Sequence, residues 1–506
     1  MTSRYARVIQ AKNGSPVPLF TSGRAAHSQY DPEREAARTA KTFPPEALFF
    51  VIAGFGAGYL AAALLEKNSA CHIIAVEETD ADISFVRTIP TVPALTENPR
   101  LTVVPLDRLV TAITDIYLPA VYGSLHVSEL QNWSLESPDC ALRFKSLVRD
   151  ALALVTADYS VQAHFGALWQ RNIIANLKHA AHTPRTHYRH RIPLEKTAYI
   201  AGAGPSLDEN IPLLKKQRND YFIIATDTAY RALREHGIHS DAVVTIDAQL
   251  ISRMHFLCAD TAPPLLVCDV GAVSTTARRY EHTVFITTGH PLATYAAQTQ
   301  SPGTGTPFFP LAPGTGTVLT AAVDCARRMG FQSLFITGAD FSYPRGTPYA
   351  RGTYLDALYY GEQTRCAPAE CRFSALLFRA PLIPGPSASA PTTAVLQSYR
   401  DSFIAWCAQS DFSVVPKNTG WLCTARHAAS PLPFEEQPFD FARFLRCLKN
   451  DIAADQYTPG TLTAIQYAVL PYIAWLRTRI SPAQKHAEFP TLLHLAYKAL
   501  LRYTES

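Results

Sequence analysis

No Cys-x-x-Cys pair occurs among the ten cysteines of this 506-residue chain, and the nearest two, Cys366 and Cys371 in "CAPAEC", have four residues between them. Metal-ligand spacing is therefore absent, and dispersed thiols in a long chain point to a reducing compartment. The chain has no His-Glu-x-x-His, no Walker A lysine and no Gly-x-Ser-x-Gly, which leaves metal chemistry little support and argues against a P-loop kinase. Neither sign of charge dominates: 46 basic against 42 acidic residues give +4, no case for a nucleic-acid groove. The basic run "KHAAHTPRTHYRHR" (178–191) is the local exception and reads as a solvated linker. The opening "MTSRYARVIQ" lacks the apolar core of a signal peptide, so cytoplasm is the expected location. One uncharged run, residues 47–65, is long enough to span a bilayer. Gly54, Gly56 and Gly58 interrupt it, so it reads as a buried strand, a turn and an alanine/leucine helix.

What is present is an alternation of short apolar runs and helical patterns, in a composition 47% hydrophobic and 17% charged. That suits a soluble globular α/β protein of several domains. After a polar leader (1–44), "LFFVIAG" and "HIIAVEE" frame a βαβ unit. "TAYIAG", "YFIIATD", "DAVVTID", "PLLVCDV", "TVFITTG" and "SLFITGAD" read as six further strands. Gly237 and Gly330 fall where helix C-caps belong. Alternation predicts mostly parallel sheets with right-handed crossovers. "LIPGPSASAPTTA" (382–394) reads as a loop, and residues beyond about 430 as helices. The expected architecture is an N-terminal, smaller Rossmann-like unit with a helical connection (1–190), a central Rossmann-like domain (191–425) and a C-terminal helical bundle (426–506).

Two glycine turns follow strands. Gly202, Ala203, Gly204, Pro205 and Ser206 lead from a strand into a helix whose Ser206 and Glu209 fit a capping box. Pro212 predicts a kink or restart one turn later. Free N–H groups at such a helix start can hold an anion, and a tight structural turn is equally compatible. Asp227, Asp247, His290 and Asp340 lie at or just beyond other strand ends, the edge where ligands of open parallel sheets bind. In the N-terminal unit, Gly54, Gly56 and Gly58 with Glu77 and Glu78 echo a dinucleotide or S-adenosylmethionine site, or a unit kept for architecture. "TDAD" (79–82) looks like a helix start.

The segments "AGAGPSLDENIPLL…IIATDTAYRALREHGIHSDAVVTID" and "FITGADFSYPRGTPYARG" resemble the motility-associated factor (Maf) glycosyltransferases of flagellated bacteria, over about 195–420. The pattern is shared with bacterial sialyltransferases that use CMP-sialic acid and with an archaeal pterin pyrophosphokinase. The resemblance implies transfer of a nonulosonic sugar, such as pseudaminic or legionaminic acid, from a CMP donor to Ser or Thr of flagellin, with no metal required. It implies donor binding by Gly204, Pro205, Ser206 and Asp227. It also implies two tyrosines near the donor phosphate, here Tyr343 and Tyr349, in a segment (343–393) matching a mobile lid. The sialyltransferases carry asparagine where this chain has Ala203, and Maf proteins often carry histidine at Tyr349. Their base histidine has no counterpart between His290 and His427, which leaves Asp247, Asp340 and His290 as candidates. Two rivals stand beside this reading. One is an ATP-dependent pyrophosphokinase of a pterin-like alcohol, with Mg²⁺ held by Asp227, Asp247 and Asp340. The other is a non-catalytic flagellin-binding protein.

Overall fold

Strands buried on both faces need no alternation of polar and apolar residues, and the sheets of this protein are built from such runs. The computed structural model describes residues 3–182, 192–257, 265–280, 282–300, 308–311, 317–387, 389–410, 412–417, 420–426, 439–479 and 488–505. Part of the basic run, 183–191, lies outside them. The chain divides into two compact units, 1–167 with 451–501, and 168–450 with 502–506. The division falls inside one continuous 43-residue helix, Pro138–Ala180. Residues read as a separate C-terminal helical domain are shared out. Helix Phe441–Ala454 belongs mainly to the second unit, and Ala464–Arg479 to the first.

In the first unit the polar leader is structured rather than loose. β1 (Tyr5–Gln10) and β2 (Pro16–Phe20) form an antiparallel hairpin, followed by helix Pro32–Lys41 with Asp31 as its cap. β3 (Phe49–Ala53), β4 (His72–Glu77), β5 (Leu101–Pro105) and β6 (Leu125–Glu129) make a parallel sheet in the order β5-β4-β3-β6. Every residue of β3 and β4 is buried. The uncharged run 47–65 is β3, the glycine turn and helix Tyr59–Lys67, and among the described residues no helix is long and apolar enough to cross a membrane. "TDAD" starts helix Asp80–Val86, where Thr79 and Asp82 form a reciprocal capping box.

The second unit carries a larger sheet. β7 (Thr197–Ala201), β8 (Tyr221–Thr226), β9 (Ala242–Thr245), β10 (Leu266–Asp269), β11 (Thr283–Thr287) and β13 (Ser333–Thr337) are the six strands legible in the sequence, all parallel to one another. The short β12 (Phe309–Pro310) extends one edge. The segment read as a loop contains a small antiparallel pair, β14 (Ile383–Ser387) with β15 (Ala390–Thr392). β17 (Gly420–Ala425) pairs antiparallel with β13, and β16 (Phe412–Lys417) antiparallel with β17 at the edge. The order is β12-β11-β10-β9-β8-β7-β13-β17-β16. Ile200, Ile224, Val244, Ile286 and Ile336 share one core with Ala322, Val323 and Ala326 of helix Val318–Met329. Gly237 (φ 72°) and Gly330 (φ 105°) end their helices in the left-handed region, as read.

From β7 the chain moves outward through β8 to β12, then returns to the other side of β7 for β13. The sheet therefore reverses direction between β7 and β13, and a crevice opens beyond their carboxyl ends. In the first unit the corresponding reversal lies between β3 and β6.

Candidate active site

The turn after β7 and the turn after β13 are locked together. Gly202 N–H donates to Thr337 O (2.8 Å), and Gly204 N–H to Gly338 O (2.9 Å). A Cβ on Gly202 would stand 2.5 Å from Gly338 O, and one on Gly338 (φ 66°) 2.0 Å from Gly202 O. Each glycine makes room for the other's backbone. A Cβ on Gly204 would lie 2.1 Å from Asp340 Oδ2, so this glycine accommodates a carboxylate of the chain itself.

That carboxylate takes the place foreseen for a ligand anion. Asp340 Oδ2 accepts from Ser206 N–H (3.1 Å) and Ser206 Oγ–H (3.0 Å), and Ser206 Oγ accepts from Gly338 N–H (2.9 Å). Leu207 N–H is bound to Gly204 O and Asp208 N–H to Pro205 O. Thus the amides of 204 and 206–208 are committed, and Pro205 has none. The expected Ser206–Glu209 capping box does not form, because Asp340 claims the Ser206 hydroxyl and Glu209 pairs with Arg345 (3.0 Å). Pro212 does not break helix Ser206–Lys216. Burial raises the pKa of Asp340, and the Ser206 donors oppose the rise.

A cavity of about 420 Å³ opens over this lock. Gly202, Ala203 and Gly204 form part of its floor with Gly338 and Asp340, and Tyr343 and Tyr349 stand in its wall. Thr226, Thr228, Ser342, Thr393 and Tyr399 add hydroxyls. Its charged side chains, among the described lining residues, are Asp340 and Arg379. Burial raises the Tyr349 pKa, the neighbouring Tyr343 adds to the rise, and Arg379 opposes it. The tyrosine-bearing segment is tied to the floor by Ala350 N–H to Ala203 O (2.8 Å) and Arg351 N–H to Asp208 Oδ1 (3.0 Å). Its two ends meet in a stem. Tyr343 N–H donates to Pro391 O (2.8 Å), Arg345 N–H to Ser389 O (2.8 Å), and Thr392 Oγ1 to Phe341 O (2.7 Å).

The other sequence candidates stand apart from the cavity. Pro205 and Ser206 lie beneath its floor rather than on it. Asp227 is buried and accepts from Thr245 Oγ1 (2.8 Å), Thr228 N–H (2.7 Å) and Thr228 Oγ1 (3.1 Å), which ties β8 to β9. Asp247 accepts from Ser252 Oγ (2.7 Å) and Gln249 N–H (2.9 Å). His255, which sequence reasoning passed over, is buried with its ring edge-on to Tyr354. Its pKa is lowered by burial, against the pull of Asp227 and Asp247. His290 caps helix Pro291–Gln298 by accepting Leu292 N–H on Nδ1 (3.1 Å). Its Nε2 is out of solvent, its ring meets Trp169 edge-to-face, and burial drives its pKa down to about 3. It is a neutral cap. His290→Ala is expected to cost about 1 kcal/mol, and His290→Asn, which can still cap, to recover most of it in thermal unfolding. A catalytic base would be lost in both variants.

Residues 171–346 match the family model described as 6-hydroxymethylpterin diphosphokinase MptE-like. This covers β7 to β13, both locked turns and Tyr343, and stops before Tyr349, Arg379 and Tyr399. Two uncharacterized proteins of Treponema pallidum (strain Nichols) are similar. One is 37% identical over 141 residues, 28% of this chain and 66% of its own length, just under two thirds. The other is 28% identical over 260 residues, 50% of this chain and 81% of its own length. Among solved structures, a Maf glycosyltransferase from Magnetospirillum magneticum AMB-1 aligns with 100% of this chain and 92% of its own. The TM-score is 0.49 and the identity 16%.

The glycine turn of the first unit spends its amides within the chain. Phe55 N–H and Gly56 N–H donate to Glu77 Oε1 (2.9 and 2.8 Å), and Ala57 N–H to His27 Nε2 (2.9 Å). Tyr5 OH and Trp133 Nε1 also donate to Glu77 (2.9 and 3.1 Å). A Cβ on Gly54 would meet Trp133 at 2.6 Å, and one on Gly56 would meet His27 at 2.3 Å. Burial lifts the Glu77 pKa to about 7 and lowers that of His27 to about 4. The amides and the acid expected for a nucleotide thus serve one another. The sequence could not show this, because the partners come from residues 5, 27 and 133.

Proposed function

We propose that this protein is a glycosyltransferase that moves a nonulosonic sugar from a CMP donor to Ser or Thr hydroxyls of flagellin. The observation that carries the reading is the cavity at the β7/β13 reversal, where the glycine turn, Asp340, Tyr343 and Tyr349 converge. These are the residues on which the resemblance to Maf proteins and CMP-dependent sialyltransferases rests. In the proposed step the acceptor hydroxyl oxygen bonds to the anomeric carbon and its proton passes to Asp340. The bond from that carbon to the phosphate oxygen breaks, and CMP leaves with the electron pair. Asp340 suits the base role among the three candidates because it faces the cavity and burial makes it more basic. The hydroxyls of Tyr343 and Tyr349 are donors for the charge developing on the leaving phosphate.

The MptE-like match favours a second reading, diphosphate transfer from ATP to a pterin-like alcohol. That chemistry calls for carboxylates turned toward Mg²⁺. Asp227 is sealed among threonines, Asp247 is held by Ser252, and Asp340 by Ser206. Among the described residues no three His, Cys, Asp or Glu side chains gather as a metal set. Thermal unfolding with CMP against ATP plus Mg²⁺ separates the readings: CMP is expected to raise the melting temperature, and a rise with ATP–Mg²⁺ alone overturns the first. Loss of a glycan mass from flagellin in a strain lacking this chain would identify both reaction and sugar.

A further inference from the structure

A phosphate in this cavity needs positive charge, and the usual source at such a turn is spent. The amides at the start of helix Ser206–Lys216 are bound to Asp340 and to the preceding carbonyls. The Asp340 carboxylate moreover places negative charge on the floor. An anion entering there meets repulsion unless a cation offsets it. The segment between β13 and β15 carries five arginines, two of them in ion pairs and one of them on the cavity. Arg345 pairs with Glu209 and Arg372 with Glu362. Arg379 differs. It follows helix Ala369–Leu377, lines the cavity, and has no carboxylate within ion-pair distance among the described residues. It lines the same cavity as Tyr343 and Tyr349, and its charge is near enough to Tyr349 to oppose the rise of that hydroxyl's pKa.

We propose that Arg379 is the phosphate-contacting residue of the donor site, supplying from the cavity wall the charge that the helix amides no longer offer. This rests on the nucleotide-donor reading above. A guanidinium presents a planar fork of N–H donors suited to two phosphate oxygens at once. Placed beside two tyrosine hydroxyls, it would neutralise the bound phosphate and the charge that grows on it as CMP departs. The donor's second anion is the sugar carboxylate, and the assignment here is to the phosphate.

Isothermal titration at low salt of wild type, Arg379→Gln and Arg379→Lys tests this with four ligands: CMP, cytidine, N-acetylneuraminic acid, and ATP with Mg²⁺. Arg379→Gln is expected to weaken CMP at least about tenfold and leave cytidine unchanged, with Arg379→Lys between them. The melting temperature without ligand should not move, because the side chain is exposed and unpaired. Equal CMP affinity in wild type and Arg379→Gln overturns the proposal. So does an equal loss for CMP and cytidine, or a loss confined to N-acetylneuraminic acid. If wild type binds ATP–Mg²⁺ and not CMP, the CMP reading fails. Arg379 is then judged by whether Arg379→Gln weakens ATP more than adenosine. If wild type binds none of these ligands, both fail.

Discussion

Glu77→Ala is expected to cost the first unit on the order of 5 kcal/mol, as large as the whole stability of many domains. Its carboxylate satisfies four buried donors, the amides of Phe55 and Gly56, the Tyr5 hydroxyl and the Trp133 indole. Alanine leaves all four without an acceptor, each at roughly 1–3 kcal/mol. It also leaves Arg4, whose guanidinium lies 3.8 Å from Glu77 and 5.1 Å from the Trp133 ring centre, with Glu78 and Asp82 as its remaining counter-charges. Urea unfolding gives the cost, and hydrogen exchange at Phe55 and Gly56 locates it. Glu77→Gln keeps an acceptor oxygen and should lose less than half as much. A loss below about 1 kcal/mol for alanine would mean that water reaches these donors.

Gly338→Ala is expected to cost roughly 3 kcal/mol or more and to weaken any ligand of the cavity at least about tenfold. The position has φ 66°, and the new methyl would stand 2.0 Å from the Gly202 carbonyl oxygen, a backbone atom with no rotamer to retreat to. Relief requires the two turns to separate, which breaks the Gly202–Thr337 and Gly204–Gly338 hydrogen bonds and moves the cavity floor. Gly204→Ala offers an internal comparison. Its nearest obstacle is the Asp340 side chain at 2.1 Å, with Gly338 O behind it at 2.8 Å. Combining it with Asp340→Ala should restore part of the lost stability, whereas no side-chain truncation should rescue Gly338→Ala. Thermal unfolding of Gly338→Ala and Gly204→Ala, each alone and combined with Asp340→Ala, checks both statements.

The buried parallel strands were legible because strands covered on both faces are continuous apolar runs between turn residues. "TAYIAG" and "SLFITGAD" therefore located the glycine turn and Asp340. Their adjacency was less legible, since β7 and β13 are separated by five strands in sequence and meet only through the order of the sheet. Asp340 was read as a ligand-facing acid and Ser206 as a cap. Their bond to each other spans 134 residues and leaves no local pattern. The polar leader hid a hairpin because its first strand, "YARVIQ", is mostly exposed and is neither a continuous apolar run nor an alternation. The pair β14 and β15 was hidden by Pro384 and Pro386, which an edge strand tolerates where its N–H groups face away from its partner. Arg379 carries no motif; it was identifiable only from the cavity it lines.

The stem beneath Tyr343 makes the wall of the cavity an exchangeable part. Residues 343–391 leave and rejoin the fold at hydrogen-bonded neighbours, Phe341 with Thr392 and Tyr343 with Pro391. The cost of closing a loop grows only slowly with its length once its ends are pinned. Insertions or deletions between these ends that spare the ties of Ala350 and Arg351 to the floor therefore leave the strand order and the glycine lock undisturbed. A lineage could keep one floor while trading walls, and so acquire new ligands without rebuilding the sheet. A chimera grafted at Phe341 and Thr392 would repeat that history at the bench.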